Sequence, residues 1–455
     1  MDSINLAARA SSFATYLPSV QPHSAKRIAN DNGITRDGGL PASLKATDFN
    51  YLDSSNRFWS YPNCLATAGH FKDMTSDNMI TSRNPVQSFV LGDSGGFQIG
   101  HGTLPEVSGW LQHANDVGEI IRRWRSSDAK KKILRFLELK CSMGLSIDVP
   151  LWAQGLKHSP FRELSVEQLT ELSVENLRFI TENRGRYGDC DMLSVLQGET
   201  EPDEDAWFEA VRHYPLEGWS LAGHVGQMGG IYRVLRRMLL LRDAKLLEAP
   251  HNTVHILRLS RVRWAPVVTA IQNAVRKHVG NQQFKMTMDS SSPYKIGGVV
   301  AKYAALNEFG RDIKTWAIKH FDVPTGWAVA NAKRPIPLNQ HHLDYLPAPM
   351  DSPIASLLTA QDINPKAGDF AVRTLDTFAD EVIINHNVFT YVMATIKANE
   401  AVRDGNAPQA MMDACGMIDE MFAIDDWRSA LKKAAPALAA VVGDSQPDLG
   451  DDRVH

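Results

Sequence analysis

The feature that most restricts the fold is a repeated pattern: short apolar runs that end on a polar residue or a glycine, separated by segments with helical periodicity. Runs at 88–91, 143–147, 192–196, 219–221, 254–257 and 284–288 lead into Asp93, Asp148, Gln197, Gly223, Arg258 and Asp289. Runs this short and apolar predict buried strands. Segments 107–124, 203–213, 230–245 and 262–278 carry apolar residues at helical spacing, and Ser165-Val166-Glu167-Gln168 is a capping-box start to a helix reaching about residue 182. Strand followed by helix, many times over, requires a parallel sheet. An open doubly wound sheet would gather functional residues at one switch point, whereas here they stand at the ends of many strands, as in a closed barrel. The expected fold is therefore α/β, a (β/α)8 TIM barrel with a C-terminal helical subdomain.

Residues 1–55 are rich in Ser, Asn, Asp, Gly and Pro and predict an irregular N-terminal segment, with the barrel over 56–335. Pro335, Pro337, Pro347, Pro349 and Pro353 break up a connecting stretch before helical segments at 378–403, 407–424 and 427–442. That assigns 336–442 to a mainly helical subdomain and 443–455 to an acidic tail. The net charge of −4 does not suggest a general polyanion binder, so any nucleic-acid contact has to come from local patches. Three arginine and lysine clusters are candidates: Arg122 to Lys132, Arg233 to Arg237 and Arg258 to Arg263. Taken singly, each reads better as a solvated helix face. No charged leader precedes an apolar core and no run reaches membrane-spanning length, so a cytoplasmic protein with reduced cysteines and no membrane contact is expected.

The strand at 88–91 delivers the most informative stretch, Gly92-Asp93-Ser94-Gly95-Gly96-Phe97-Gln98. GDSGG also occurs around the nucleophile of trypsin-like serine proteases, and Thr67-Ala68-Gly69-His70 imitates their histidine segment. The spacing rules that reading out, because too little chain separates His70 from Ser94 to build the intervening strands of two β-barrels. Cys64, Cys141, Cys190 and Cys415 also offer no disulfide framework for a secreted protease.

The longer string DSGGFQ after an apolar strand resembles the signature of the tRNA-guanine transglycosylases and their DNA-modifying relatives. The resemblance implies exchange of a nucleobase with retention at the anomeric carbon, a double displacement that needs at least two carboxylates. By position, Asp289 matches the family's nucleophile and Asp93 the residue that handles protons during exchange. Asp148 matches the base-reading aspartate, Gln197-Gly198 the Gln-Gly pair, and Ala222-Gly223 a loop lending backbone groups. Phe97 matches the aromatic that stacks on the base, and Ser94 is a hydrogen-bonding accessory. Lys295 stands where the family carries an arginine near the phosphates, which keeps the charge and loses the bidentate fork. Taken alone, Asp289 followed by three serines reads as a turn or helix cap, Phe97 as core and Gln197 as a loop amide. The collinear order of the segments weakens those plainer readings together.

Three departures qualify the resemblance. His386, in Ile384-Asn385-His386-Asn387, resembles the family's zinc-binding helix, but the companion cysteines are missing and adjacent His341 and His342 are poorly placed to ligate together. No cofactor and no metal are therefore expected. After Gly223 the chain reads His224-Val225-Gly226-Gln227 where relatives have a glutamate, which favours a neutral substituent such as a nitrile on the incoming base over an aminomethyl group. Outside the motifs, similarity is confined to roughly 55–300 and 380–405 and is weak, a combination closer to the DNA-guanine transglycosylases of 7-deazaguanine DNA modification, found in bacteria and phages. The implied partners are DNA, with tRNA as the alternative, a 7-deazaguanine base, and a homodimer or accessory DNA-modification proteins. A reading from a different class is a catalytically silent nucleic-acid-binding subunit on the same barrel. Retention of both Asp93 and Asp289 argues against it.

Overall fold

The structure is a computed structural model that describes residues 3–30, 33–36, 39–74, 76–223, 230–306, 309–323, 335–336, 348–363 and 377–443. The loop bearing Gln227, the pair His341 and His342, and residues 444–455 lie outside the described residues.

Eight strands form one parallel sheet: β1 (Thr15–Pro18), β2 (Asn63–Thr67), β3 (Phe89–Asp93), β4 (Met143–Leu145), β5 (Asp191–Leu196), β6 (Gly218–Leu221), β7 (Thr253–Ile256) and β8 (Lys285–Ser290). Neighbours follow chain order from β2 to β8, and β8 then pairs with β1. The seam between β1 and β2 is bridged at Ser19 and Leu65, with the Val20 N–H donating to Leu65 O at 2.9 Å. The sheet is thus a nearly closed, TIM-like barrel surrounded by helices. Side chains alternate across a strand, so every second residue faces the barrel axis. Leu17, Leu65, Leu91, Leu145, Leu193 and Val195 form one buried cluster inside. One inward step further, toward the carboxyl ends of β2 and β3, come Thr67 and Asp93, which pair in register; Asp289 pairs with Leu17. An apolar plug below a polar mouth follows from the spacing of two.

Two barrel strands escaped the sequence reading. β1 lies inside the stretch expected to be irregular, and β2 is a further strand that the runs at 88–288 did not include. The segment expected as one helix over 107–124 is a single 3-10 turn at Trp110–His113 followed by α1 (Val117–Ser126). A further helix, α2 (Ala129–Lys140), buries Ile133, Leu134 and Leu137 behind its run of lysines. α3 (Val166–Asn183) starts as the capping box requires, with Gln168 N–H donating to Ser165 Oγ at 3.3 Å and Ser165 N–H to Gln168 Oε1 at 2.9 Å. α4 (Glu201–Val211), α5 (Gly230–Asp243), α6 (Trp264–His278) and the short α7 (Ser292–Gly298) complete the barrel's described helices of interest to the site.

Three C-terminal helices follow: α8 (Thr377–Arg403), α9 (Gln409–Ala423) and α10 (Trp427–Val442). α8 is buried on nearly all sides, which marks it as a core helix and not a surface one. Asn385 fixes it, accepting from Trp59 Nε1 at 3.1 Å and donating to Phe49 O at 3.1 Å. α9 and α10 dock on barrel helices through Lys277 to Asp419 at 2.7 Å and Trp427 Nε1 to Asp243 at 2.8 Å. Among the described residues no helix is long and apolar enough to cross a membrane.

Candidate active site

β3 ends at Asp93 and the chain then turns sharply. Gly95 adopts φ +91°, and its N–H donates to Asp93 Oδ1 at 3.1 Å. A Cβ at Gly95 would stand 3.1 Å from Gly69 N in the short helix Ala68–Phe71 after β2, so the turn needs glycine for both conformation and space. Burial raises the Asp93 carboxyl above its ordinary value; the Gly95 N–H opposes this, and the charge of Asp289 pushes it further up. The Thr67 hydroxyl and His255 act in the lowering direction.

Asp148 follows β4 and is buried. Its carboxyl is pushed up to about 7, first by burial and then by the charge of Asp93. Gln197 donates its amide to Asp148 Oδ2 while its own Oε1 accepts the Leu151 N–H at 2.8 Å. The amide expected to read the base is thereby committed to holding Asp148 and the loop after it. Across the mouth, a Cβ at Gly96 would lie 3.4 Å from Asp148 Oδ1, so the Gly95-Gly96 backbone faces this carboxylate closely. Ser94, 1% exposed, sets its hydroxyl beside Asp148 and acts on that carboxyl in the lowering direction.

Asp289, on β8, is also buried. Its Oδ1 accepts the Arg258 N–H at 2.8 Å, and its own carbonyl accepts from Leu259 N–H at 2.7 Å. Arg258 has φ +61°, a left-handed turn that aims its amide at the carboxylate. His255 on β7 places Nε2 3.3 Å from the same Oδ1.

Gly198 and Gly223 meet where the loops after β5 and β6 touch: a Cβ at Gly223 would be 3.5 Å from Gly198 O. Both loops are held from behind by α5. Arg237 Nη1 donates to Ala222 O, as the short contact shows, and Arg233 Nη1 donates to Gly198 O at 3.2 Å. Glu204 on α4 balances the arginines, 2.9 Å from Arg237 and 3.0 Å from Arg236. The cluster Arg233, Arg236 and Arg237 is therefore internal support, not a solvated face or a nucleic-acid patch. Arg122 and Arg123 pair with Glu119, Arg125 with Glu175, and Lys132 with Glu106, as a solvated face would. In the third cluster, Arg261 donates to Gly443 O and Arg263 to Trp316 O.

Phe97 is half-buried and packs on His101 at 4.1 Å between ring centroids, with Trp152 at 6.1 Å, forming an aromatic wall beside the Asp148 loop. Lys295 lies on α7; partial burial, and then the charge of Lys295, lower the pKa of His70, a half-buried ring bonded to Gln98 at 2.8 Å. The described contacts therefore gather Asp93, Ser94, Asp148, Gln197 and Asp289 into one mouth and join Gly198 and Gly223 on its rim.

Among the described residues, His386 has no companion ligands for zinc. His386 Nε2 donates to Ala304 O at 2.7 Å, and its neighbour Asn387 accepts the Ala304 N–H at 2.7 Å, so this pair docks the hairpin Lys302–Leu306 and Ile318–Asp322 onto α8. Only Nδ1 remains, and among the described residues no three His, Cys, Asp or Glu side chains gather as a metal site. His255, Thr67 and Arg237 are the site residues that the sequence reading missed. A histidine inside Val254-His255-Ile256 was the visible signal, since an imidazole in a buried strand requires a polar partner.

Compared with protein-family models and with curated protein sequences, the chain matches none.

Proposed function

We propose that the chain is a base-exchanging pentosyltransferase, a (β/α)8 TIM barrel with a C-terminal helical subdomain that replaces guanine in DNA with a 7-deazaguanine in the cytoplasm. The observation that carries this reading is the gathering of Asp93, Asp148 and Asp289 at the carboxyl end of one barrel from three different strands. Like charges brought together in a dry mouth are costly unless they share protons, and a double displacement uses that division. Asp289 attacks C1′ as the C1′–N9 bond breaks and the departing guanine takes the electron pair. Asp93 supplies the proton to that base. The incoming 7-deazaguanine then gives its N9 proton to Asp93, N9 attacks C1′, and the ester bond to Asp289 breaks to restore the carboxylate. Asp148, held by Gln197, faces the position of the base, where a carboxyl titrating near neutrality can meet a guanine edge. The base reaches this mouth only when flipped out of a duplex, at a cost of a few kcal/mol.

tRNA is the nearest rival substrate. Incubation with radiolabelled guanine and either duplex DNA or tRNA separates them: label enters DNA with the wild type and fails to enter with Asp289→Asn. Label entering tRNA alone would overturn the choice of DNA, and no label in either would overturn the enzyme reading in favour of a silent binding subunit.

A further inference from the structure

His255 is fully buried on β7, in register with Thr287 on the neighbouring strand and one inward step below the carboxylate of Asp289. Its Nδ1 lies 2.8 Å from Thr287 Oγ1. Its Nε2 makes no aligned hydrogen bond, yet it faces Asp289 Oδ1 at 3.3 Å. A buried ring nitrogen left without an aligned partner is uncommon, and here it is aimed at one oxygen of one carboxylate. The same Oδ1 already accepts the Arg258 N–H at 2.8 Å.

We propose that His255 is a positioning residue for Asp289, fixing Oδ1 so that Oδ2 is the atom that attacks the sugar. The inference rests on the glycosyl-exchange reading and goes beyond it by assigning the two oxygens. With the Thr287 hydroxyl donating to Nδ1, the ring proton sits on Nε2, 3.3 Å from Oδ1. Attack forms the Oδ2–C1′ bond while the base leaves with the electrons of C1′–N9, and Oδ1 becomes the carbonyl oxygen of the ester. In the return step the Oδ2–C1′ pair goes back to the carboxylate. His255 keeps its proton throughout, so its contribution is orientation, and a small misplacement of a reacting atom costs on the order of 100-fold in rate.

The test is single-turnover formation of the covalent protein–DNA adduct, together with steady-state label exchange, in wild type, His255→Leu, His255→Gln and Thr287→Val. The expected result is adduct formation slowed about 100-fold in His255→Leu with KM unchanged, and largely rescued in His255→Gln, which keeps an N–H near Nε2. Thr287→Val, which leaves the ring in place and frees its tautomer, falls between them and guards against a His255→Leu protein that does not fold. Equal impairment of His255→Leu and His255→Gln, or adduct formation at the wild-type rate in His255→Leu, overturns the positioning role while leaving exchange intact. A wild type that exchanges no label removes the function reading and this inference together.

Discussion

Replacing Gly198 with alanine tests whether the loop carrying Gln197 is held by crowding as tightly as the geometry indicates. Gly198 has φ +149°, a conformation that residues with a side chain rarely adopt, and straining one there costs about 1–3 kcal/mol. Its added Cβ would stand 2.4 Å from Glu204 Cγ, 2.6 Å from Glu204 N and 2.7 Å from Glu204 Cα. Two of those atoms are backbone in the first turn of α4, which Thr200 caps by accepting the Asp203 N–H at 3.3 Å, so the helix will not yield. The loop must move by roughly 1 Å to reach ordinary contact, and such overpacking costs about 1–3 kcal/mol more. The expected loss is about 4 kcal/mol in urea unfolding, a large fraction of the whole stability of a typical domain. Label exchange falls as well, because the same shift draws the Gln197 amide away from Asp148. Gly280→Ala is the control: φ is +84° there with nothing within 4 Å of the new Cβ, so it bears the backbone cost alone. A Gly198→Ala protein no less stable than Gly280→Ala would refute the crowding argument.

Arg237→Met removes the donor to Ala222 O and the partner 2.9 Å from buried Glu204, and should cost about 3 kcal/mol in chemical unfolding, with equal stability to wild type as the contrary result. Glu381 provides a pH test. Burial pushes its carboxyl up from 4.5 to about 7, although Ser24 Oγ donates to it at 2.6 Å and Arg27 lies 3.1 Å away. A carboxyl raised in the folded state gives stability that is present below its unfolded value and lost as pH rises through the folded one. Glu381→Gln should therefore gain on wild type by roughly 3 kcal/mol between about pH 5 and about pH 8, and a pH-independent difference would contradict the buried setting.

The barrel was legible where strands are buried on both faces and end on a polar residue or a glycine, because such runs are continuous and sharply bounded. β1 was not, since Thr15–Pro18 is four residues long and ends in proline; pairing with β8 holds it, and that partner lies far along the chain. α2 was hidden by Lys130, Lys131 and Lys132, which read as a charge cluster until Ile133, Leu134 and Leu137 are seen to face inward. The arginines of α5 failed for a related reason. Charge runs are ordinarily solvated, and the residue that buries them, Glu204, belongs to the preceding helix. Asp93, Asp148 and Asp289 were legible as strand ends, but their convergence was not, because it depends on closure of the sheet. His255 was legible only as a polar letter in an apolar word.

The mouth of the barrel is assembled against electrostatic preference, and its neighbours show how that is sustained. Three aspartates share a polar layer directly above a plug of leucines, so water cannot screen them from below. The backbone gives one N–H to Asp93 from Gly95 and one to Asp289 from Arg258, each made available by a left-handed turn. Fixed donors of this kind stabilise charge without having to reorganise. Asp148 is held by the Gln197 amide, and burial, then the charge of Asp93, drive its carboxyl to about 7. Burial, neighbouring charge and fixed donors therefore set three chemically identical side chains in different surroundings. Asp148 is pushed to about 7, Asp93 is raised beside it, and Asp289 is gripped at one oxygen, Oδ1, by the Arg258 N–H.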